Sequence, residues 1–145
     1  MSVAEKLAAL KAKKMAENLE KSSAFLEENA KKEGVICLQS GLQYSIIEPG
    51  NGANPTYNDT VICHYTGYNL EGVVFDSSHK RGKPAQFSLQ KVIKGWQEGI
   101  PLMSVGSCFK LFVPPHLAYG EQHISAEIGP NSLLIFEVSL IAIVE

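Results

Sequence analysis

From Gly41 onward six stretches alternate apolar and polar residues with a period of two: GLQYSII, DTVICHYTGY, GVVFDSS, AQFSL, SCFKLFV and SLLIFEVSLIAIV. That period is the pattern of β-strands, and the breaks PGNGANP, NLEG and KRGKP between them are turn formers. One segment only, KVIKGWQEGIPLM at residues 91–103, keeps helical spacing, with Val92, Trp96, Ile100 and Met103 on a single stripe. Several short strands with one short helix near residues 93–102 imply an α+β fold built on an antiparallel sheet. A curved sheet must pack its concave side chains on something, and the segment carrying Trp96 is the available candidate. Gly95 and Gly99 each cost such a helix about 1 kcal/mol against Ala. Their missing Cβ atoms leave room for another backbone or a ligand to come close.

Alternation also sorts the faces. Val61, Cys63 and Tyr65 share one side of their strand; so do Ala85, Phe87 and Leu89, and Leu134, Phe136, Val138 and Leu140. Tyr65, Phe75, Phe87, Trp96 and Phe136 therefore converge on the inner face of a half-barrel. Such a cluster fits a filled core and an apolar pocket equally well, and periodicity does not choose between them. Tyr68, Phe109 and Phe112 read as packing residues.

Ahead of the strands, residues 2–32 contain neither Gly nor Pro and are rich in Ala, Glu, Lys and Leu, which favours helix up to a stop at Gly34. Val3, Leu7 and Leu10 begin a stripe that Lys14 interrupts, so the helix is expected to be largely solvated. Hydrophobic residues at 45% and charged residues at 19% fit a globular chain, and a net charge of -2 gives no footprint for nucleic acid. The longest apolar run is broken by Glu137 and falls short of a membrane span. Cys37, Cys63 and Cys108 form no CxxC, and the start MSVAEKLAALKAKK lacks the continuous apolar stretch of a secretory signal. Both features lead to an expectation of reduced thiols in a cytoplasmic protein. His64, His79, His116 and His123 lack metal-ligand spacing, so neither a metal nor a cofactor is expected. Asp76, Ser77 and Ser78 beside His79 lack a positioned base and read as a strand-ending turn rather than a nucleophilic site.

VICHYTGYNLEGVVFDSS, KVIKGWQEGIPLMSVG, PPHLAYG and LLIFEVSLIAI, in this order and spacing, resemble the FKBP-type peptidyl-prolyl cis/trans isomerases, the macrolide-binding immunophilins. The likeness runs from about Gly41 to the end of the chain. AFLEENAKKEGV followed by SGLQYSIIEPGNG further resembles the bacterial subgroup typified by the macrophage infectivity potentiator. The resemblance implies an antiparallel half-barrel wrapped around the Trp96 helix and preceded by a long N-terminal helix. It implies a helical extension at 1–36 and an isomerase domain at 37–145. The function implied is acceleration of X-Pro rotation during protein folding; a non-catalytic peptide-binding or chaperone module using the same cleft is the alternative.

By the same resemblance, substrate binding falls to Tyr65, Phe75, Asp76, Phe87, Val92, Ile93, Trp96, Tyr119, Ile128 and Phe136, with Trp96 as the floor under the proline ring. The catalytic positions are Asp76, Tyr119, Ile93 and Tyr65. The Ile93 N–H, in the first turn of a helix, has no intrahelical partner and is free for a substrate carbonyl. The Tyr119 phenol can donate to another carbonyl. Asp76 either stabilises the twisted amide or anchors Tyr65, and both readings stand. Partners implied are proline-containing polypeptides and macrolides of the rapamycin class, with no nucleic acid and no membrane. The chain is expected as a monomer or a weak homodimer through the N-terminal helix, whose removal should leave the site unaffected. Two departures from the family pattern stand out: Ala85 where many relatives carry an aromatic, and Glu127 and Gly129 in the loop after Tyr119, where apolar residues or proline are frequent.

Overall fold

The computed structural model describes residues 2–145. Its first element is α1 (Val3–Asn29), opened by Ser2, whose hydroxyl accepts from the Glu5 N–H at 3.1 Å. This side-chain cap satisfies one of the donors that the first helical turn leaves free. The helix ends before Gly34, which takes φ +83°, and its 27 residues span about 40 Å. Seven strands follow: β1 (Ile36–Cys37), β2 (Gln43–Glu48), β3 (Thr60–Tyr68), β4 (Val74–Ser77), β5 (Ala85–Ser88), β6 (Cys108–Val113) and β7 (Leu134–Val144). Two short helices lie among them, α2 (Ser78–Arg81) and α3 (Lys94–Gly99), the latter continued by a 3-10 turn at Ile100–Leu102. The β1 strand straddles the boundary expected between residues 36 and 37.

All pairings are antiparallel, in the order β1-β2-β6-β7-β3-β4. The β3 strand is long enough for one edge to hold two short neighbours in succession, β5 against Thr60–Cys63 and β4 against Thr66–Tyr68. Irregularities in register at Ile46/Glu48, Ile62/Cys63 and Gly67/Tyr68 bend the strands. The result is the open, curved antiparallel sheet that the alternation implied, with the long N-terminal helix that composition favoured.

On the concave side β3 contributes Val61, Cys63 and Tyr65, and β7 contributes Leu134, Phe136, Val138 and Leu140, all buried against Trp96, Ile100 and Met103. Each such side chain contributes about 1.5–3 kcal/mol by leaving water. The glycines of α3 now have a reason. A Cβ on Gly95 would lie 2.5 Å from Val113 Cγ1, and one on Gly99 would lie 3.1 Å from both Leu111 methyls, so the helix sits directly on β6. The convex side carries a second cluster of Phe112, Leu133 and Ile135, packed by Phe25 and Leu26 of α1.

The helix is therefore divided. Val3, Leu7 and Leu10 are exposed, whereas Ser22 and Asn29 are buried and the Phe25 ring lies 5.8 Å from Phe112. Near its end Asn29 Nδ2 donates to Gln43 Oε1 at 2.8 Å, and Gln43 Nε2 donates to the Leu26 carbonyl at 2.9 Å. This buried pair of amides fastens the last turn to β2.

Candidate functional site

Between α3 and the sheet lies a cavity of about 310 Å³. Trp96, the third residue of α3, forms its deep side at 4% exposure. Three rings stand nearly perpendicular to the indole: Tyr65 at 5.1 Å and 86°, Phe87 at 5.2 Å and 83°, and Phe136 at 5.3 Å and 83°. Edge-to-face contacts of this kind add about 0.5–1.5 kcal/mol each beyond burial. Phe75 continues the series, edge-on to Phe136 at 5.6 Å. That meeting needs Gly67 on β3, because a Cβ there would come within 2.7 Å of Phe75 and 2.8 Å of Phe136.

Val92 and Ile93 supply the wall before α3, where Gln97 Nε2 holds the Val92 carbonyl at 2.9 Å. Ile93 caps α3 rather than lying in its first turn: its carbonyl accepts from Trp96 and Gln97, and its own N–H finds no acceptor among the described residues. Tyr119 lines the opposite wall, is 37% exposed, and its phenol likewise has no side-chain hydrogen bond among the described residues.

The polar end of the cavity is a three-membered network. Tyr65 O–H donates to Asp76 Oδ2 at 2.5 Å, Arg81 Nη1 to Asp76 Oδ1 at 2.5 Å, and Arg81 Nη2 to the Tyr65 oxygen at 2.9 Å. Both carboxylate oxygens are thus occupied. Partial burial raises the Asp76 pKa, but the hydrogen bonds from Tyr65 and Arg81 and the guanidinium charge outweigh it and hold the carboxyl below its usual range. The Tyr65 phenol is pushed up, first by burial and then by the Asp76 carboxylate it serves. The guanidinium also lies 5.5 Å from the Tyr65 ring centre.

Nine of the ten residues expected at a binding site line this one cavity: Tyr65, Phe75, Asp76, Phe87, Val92, Ile93, Trp96, Tyr119 and Phe136. The tenth, Ile128, departs from the expectation. It is 5% exposed, packs into the main core and does not line the cavity. Ala85 is partly buried at the edge of that core.

Two residues of the site escaped the sequence reading. Lys91 lines the cavity mouth, and Arg81 reaches back over Asp76. A signal for Arg81 existed: Ser77 caps α2 and Gly82, at φ +78°, stops it, so one helical turn carries Arg81 back to the strand end. The serine next to that cap has a structural duty, since Ser78 Oγ accepts from the Tyr65 N–H at 2.8 Å. His64 and His79 stack 4.3 Å apart, and the described residues contain no cluster of three or more metal-type side chains. No described helix is long and apolar enough to cross a membrane.

Comparisons with known proteins bear on this geometry. The family model described as FKBP-type peptidyl-prolyl cis-trans isomerase matches residues 52–141, and that of the domain amino-terminal to such isomerases matches residues 1–46. The "Peptidyl-prolyl cis-trans isomerase Mip" of Coxiella burnetii is 52% identical over 126 residues, covering 87% of this chain and 55% of its own length. The "Outer membrane protein MIP" of Legionella longbeachae is 50% identical over 131 residues, covering 90% and 56%. The crystal structure of FkpA from Escherichia coli superposes with a TM-score of 0.92 at 39% identity, covering 97% of this chain and 66% of that one. The chain spans about half the length of the curated relatives it matches. The cytoplasmic expectation is corrected by the second relative, whose name points to the cell envelope. Three unpaired thiols record which bonds are absent, and an exposed, a buried and a half-buried cysteine do not fix a compartment.

Proposed function

Since the chain belongs to the FKBP-type peptidyl-prolyl cis-trans isomerase family, we propose that it accelerates rotation about X-Pro bonds by binding the twisted amide in the aromatic cavity. An X-Pro bond resists rotation by about 18–20 kcal/mol because resonance gives it double-bond character. Twisting removes the resonance, leaves the nitrogen pyramidal and makes the amide less polar. An apolar cavity removes the water that stabilises the planar form and holds the twisted form better. A thousandfold acceleration needs about 4 kcal/mol of such preference, and no nucleophile takes part.

What supports this reading above all is the indole of Trp96 with three perpendicular rings around it on a cavity of about 310 Å³, the lower end of the range for small-ligand sites. In our assignment the proline ring rests on Trp96, and the Ile93 N–H and the Tyr119 phenol, both without internal partners, donate to substrate carbonyls. Asp76, with each oxygen already engaged, anchors Tyr65 rather than meeting the amide. Macrolides of the rapamycin class are proposed to compete for the same cavity, and proline-containing chains in the cell envelope to be the clients. We keep residues 1–36 as a helical extension and 37–145 as the isomerase domain, and propose a monomer or a weak dimer through the exposed Val3, Leu7 and Leu10 of α1.

The test is a protease-free measurement of cis-to-trans relaxation in a Leu-Pro or Phe-Pro peptide. Acceleration that a rapamycin-class macrolide abolishes, with a change in Trp96 emission, is the expected result. Binding of the peptide at micromolar protein without acceleration would overturn the enzyme in favour of a peptide-binding module.

A further inference from the structure

Tyr119 is followed by a long surface loop, from Gly120 to Leu133, that returns the chain to β7 with no regular secondary structure of its own. Loops of this length do not hold one conformation without anchors. Few of its side chains are buried, Ile128 and Pro130 among them, so its shape rests on hydrogen bonds. One ties its two ends together: the Asn131 N–H donates to the Gly120 carbonyl at 2.8 Å, directly beside Tyr119. Another, from Asn69 Nδ2 to the Glu127 carbonyl at 3.0 Å, holds its middle to the end of β3.

Turns within the loop add the Ile124 and Ser125 N–H bonds to the Ile128 carbonyl, and further anchors come from the N-terminal helix. Asn18 Nδ2 donates to the Pro130 carbonyl at 2.7 Å. Ser22 Oγ donates to the Asn131 carbonyl at 3.0 Å and accepts from the Leu133 N–H at 3.1 Å. Asn131 Nδ2 donates back to the Met15 carbonyl at 3.3 Å. Met15, Asn18 and Ser22 are spaced by three and four, so one face of α1 grips consecutive residues of the loop base. Asn131 is also the one non-glycine residue with positive φ, +57°, among the described residues, a conformation that the bonds on either side of it hold in place. The unusual Gly129 gains a reason as well. A Cβ there would meet Asn18 Nδ2 at 3.1 Å, so the helix lies against the loop backbone.

We propose that Asn18 and Ser22 are positioning residues of the isomerase cavity: through Asn131 and Gly120 they fix the loop that sets Tyr119 on its wall. On this reading α1 is part of the site, against the expectation that its removal leaves the site unaffected. The inference rests on the proposed activity for its consequence, but the loop geometry can be tested apart from it.

The experiment uses the full chain with Asn18→Ala, Ser22→Ala, the conservative Ser22→Thr, and Ser23→Ala as a control on the exposed side of the same turn. Three quantities are read: kcat/KM on a Leu-Pro peptide, acrylamide quenching of Trp96 emission, and the melting temperature. Asn18→Ala and Ser22→Ala are expected to lower kcat/KM by about three- to tenfold, the contribution of one hydrogen bond to holding the loop. They should also raise quenching of Trp96, while Ser22→Thr and Ser23→Ala stay within about twofold of the parent. Asn18 is partly exposed and Ala favours helix, so that variant folds even where Ser22→Ala, at a buried position, fails. Quenching and kcat/KM both unchanged in Asn18→Ala would overturn the proposal, as would a loss of activity with quenching unchanged. If the parent chain itself shows no isomerase activity, the quenching arm alone decides the clamp, and the two failures stay distinct.

Discussion

Replacing Gly95 by Ala puts opposing effects on one atom. In the helix interior Ala is favoured over Gly by about 1 kcal/mol. The added Cβ, however, would lie 2.5 Å from Val113 Cγ1 and 3.0 Å from Cγ2, where carbon atoms want about 3.5–4.0 Å. Val113 cannot swing aside, because it is wholly buried, β-branched and paired with Leu134 on β7. The helix must therefore lift by about 1 Å, and overpacking of this kind costs about 1–3 kcal/mol. Net destabilisation of up to about 2 kcal/mol follows, from the difference between those two figures. Gly99→Ala is the internal comparison: its Cβ meets methyl ends, those of Leu111 at 3.1 Å and Leu42 Cδ2 at an ordinary 3.5 Å, which give way more cheaply. Gly95→Ala should be less stable than Gly99→Ala by about 1 kcal/mol or more in urea unfolding followed by Trp96 emission. A cycle with Val113→Ala should return a favourable coupling of similar size, since the shortened side chain vacates the contested space. Because Trp96 is the next residue, the same lift displaces the cavity floor, and peptide relaxation should suffer more than stability does, by up to about a hundredfold. Gly95→Ala at least as stable as the parent, with no coupling to Val113, would refute the close-approach reasoning.

Other outcomes are expected from the polar end and the thiols. Arg81→Gln should lower stability only slightly at neutral pH, since both partners of the ion pair are 40–46% exposed and solvent screens them. The Asp76 carboxyl is held low in the folded state, so its contribution is present above the unfolded value of about 3.9 and is lost as pH falls through the folded one; the gap in urea midpoint between parent and Arg81→Gln should close below about pH 4. A gap that persists at pH 2 would mean that Arg81 acts by packing. Tyr119→Phe should slow peptide relaxation by the equivalent of about 0.5–1.5 kcal/mol and leave the melting temperature unchanged, because the phenol has no internal side-chain partner; a drop in melting temperature would point to a structural bond instead. Toward a disulfide reagent, Cys37 should react at once and Cys63 only on unfolding, burial having pushed its thiol up to about 12. Rapid modification of Cys63 in the native protein would contradict this.

The inner surface was legible where burial alternates along a strand, as it does throughout β3, so the alternation at Val61–Tyr65 and Leu134–Leu140 marked it directly. The aromatic convergence was legible for the same reason. What alternation could not convey was whether the rings met without a gap, and the cavity depends on Gly67 and on the loop before α3, neither of which has a periodic signature. Arg81 was missed because its role depends on a single capped turn folding back over Asp76. Ile128 packs in the main core, and a loop has no face by which the sequence could tell a wall from a core. The anchoring of α1 was hidden too: beside Phe25 and Leu26, its grip uses Asn18, Ser22 and Asn29, polar residues that on a helical wheel look like solvent contacts.

The position of β7 has a consequence for the order of assembly. In chain order it is the last of the strands, yet in the sheet it lies near the centre, between β6 and β3. Its partners on β3 are some seventy residues upstream, and such distant closures are entropically slow. A chain emerging vectorially from the ribosome therefore holds β3 and β6 with open edges until residues 134–144 arrive. Phe136, which stands against both Trp96 and Phe75, comes with that final strand. Shorter nascent chains have Trp96 and two of its three surrounding rings but no closed cavity, so competence to bind a client arrives together with completion of the sheet and not before it.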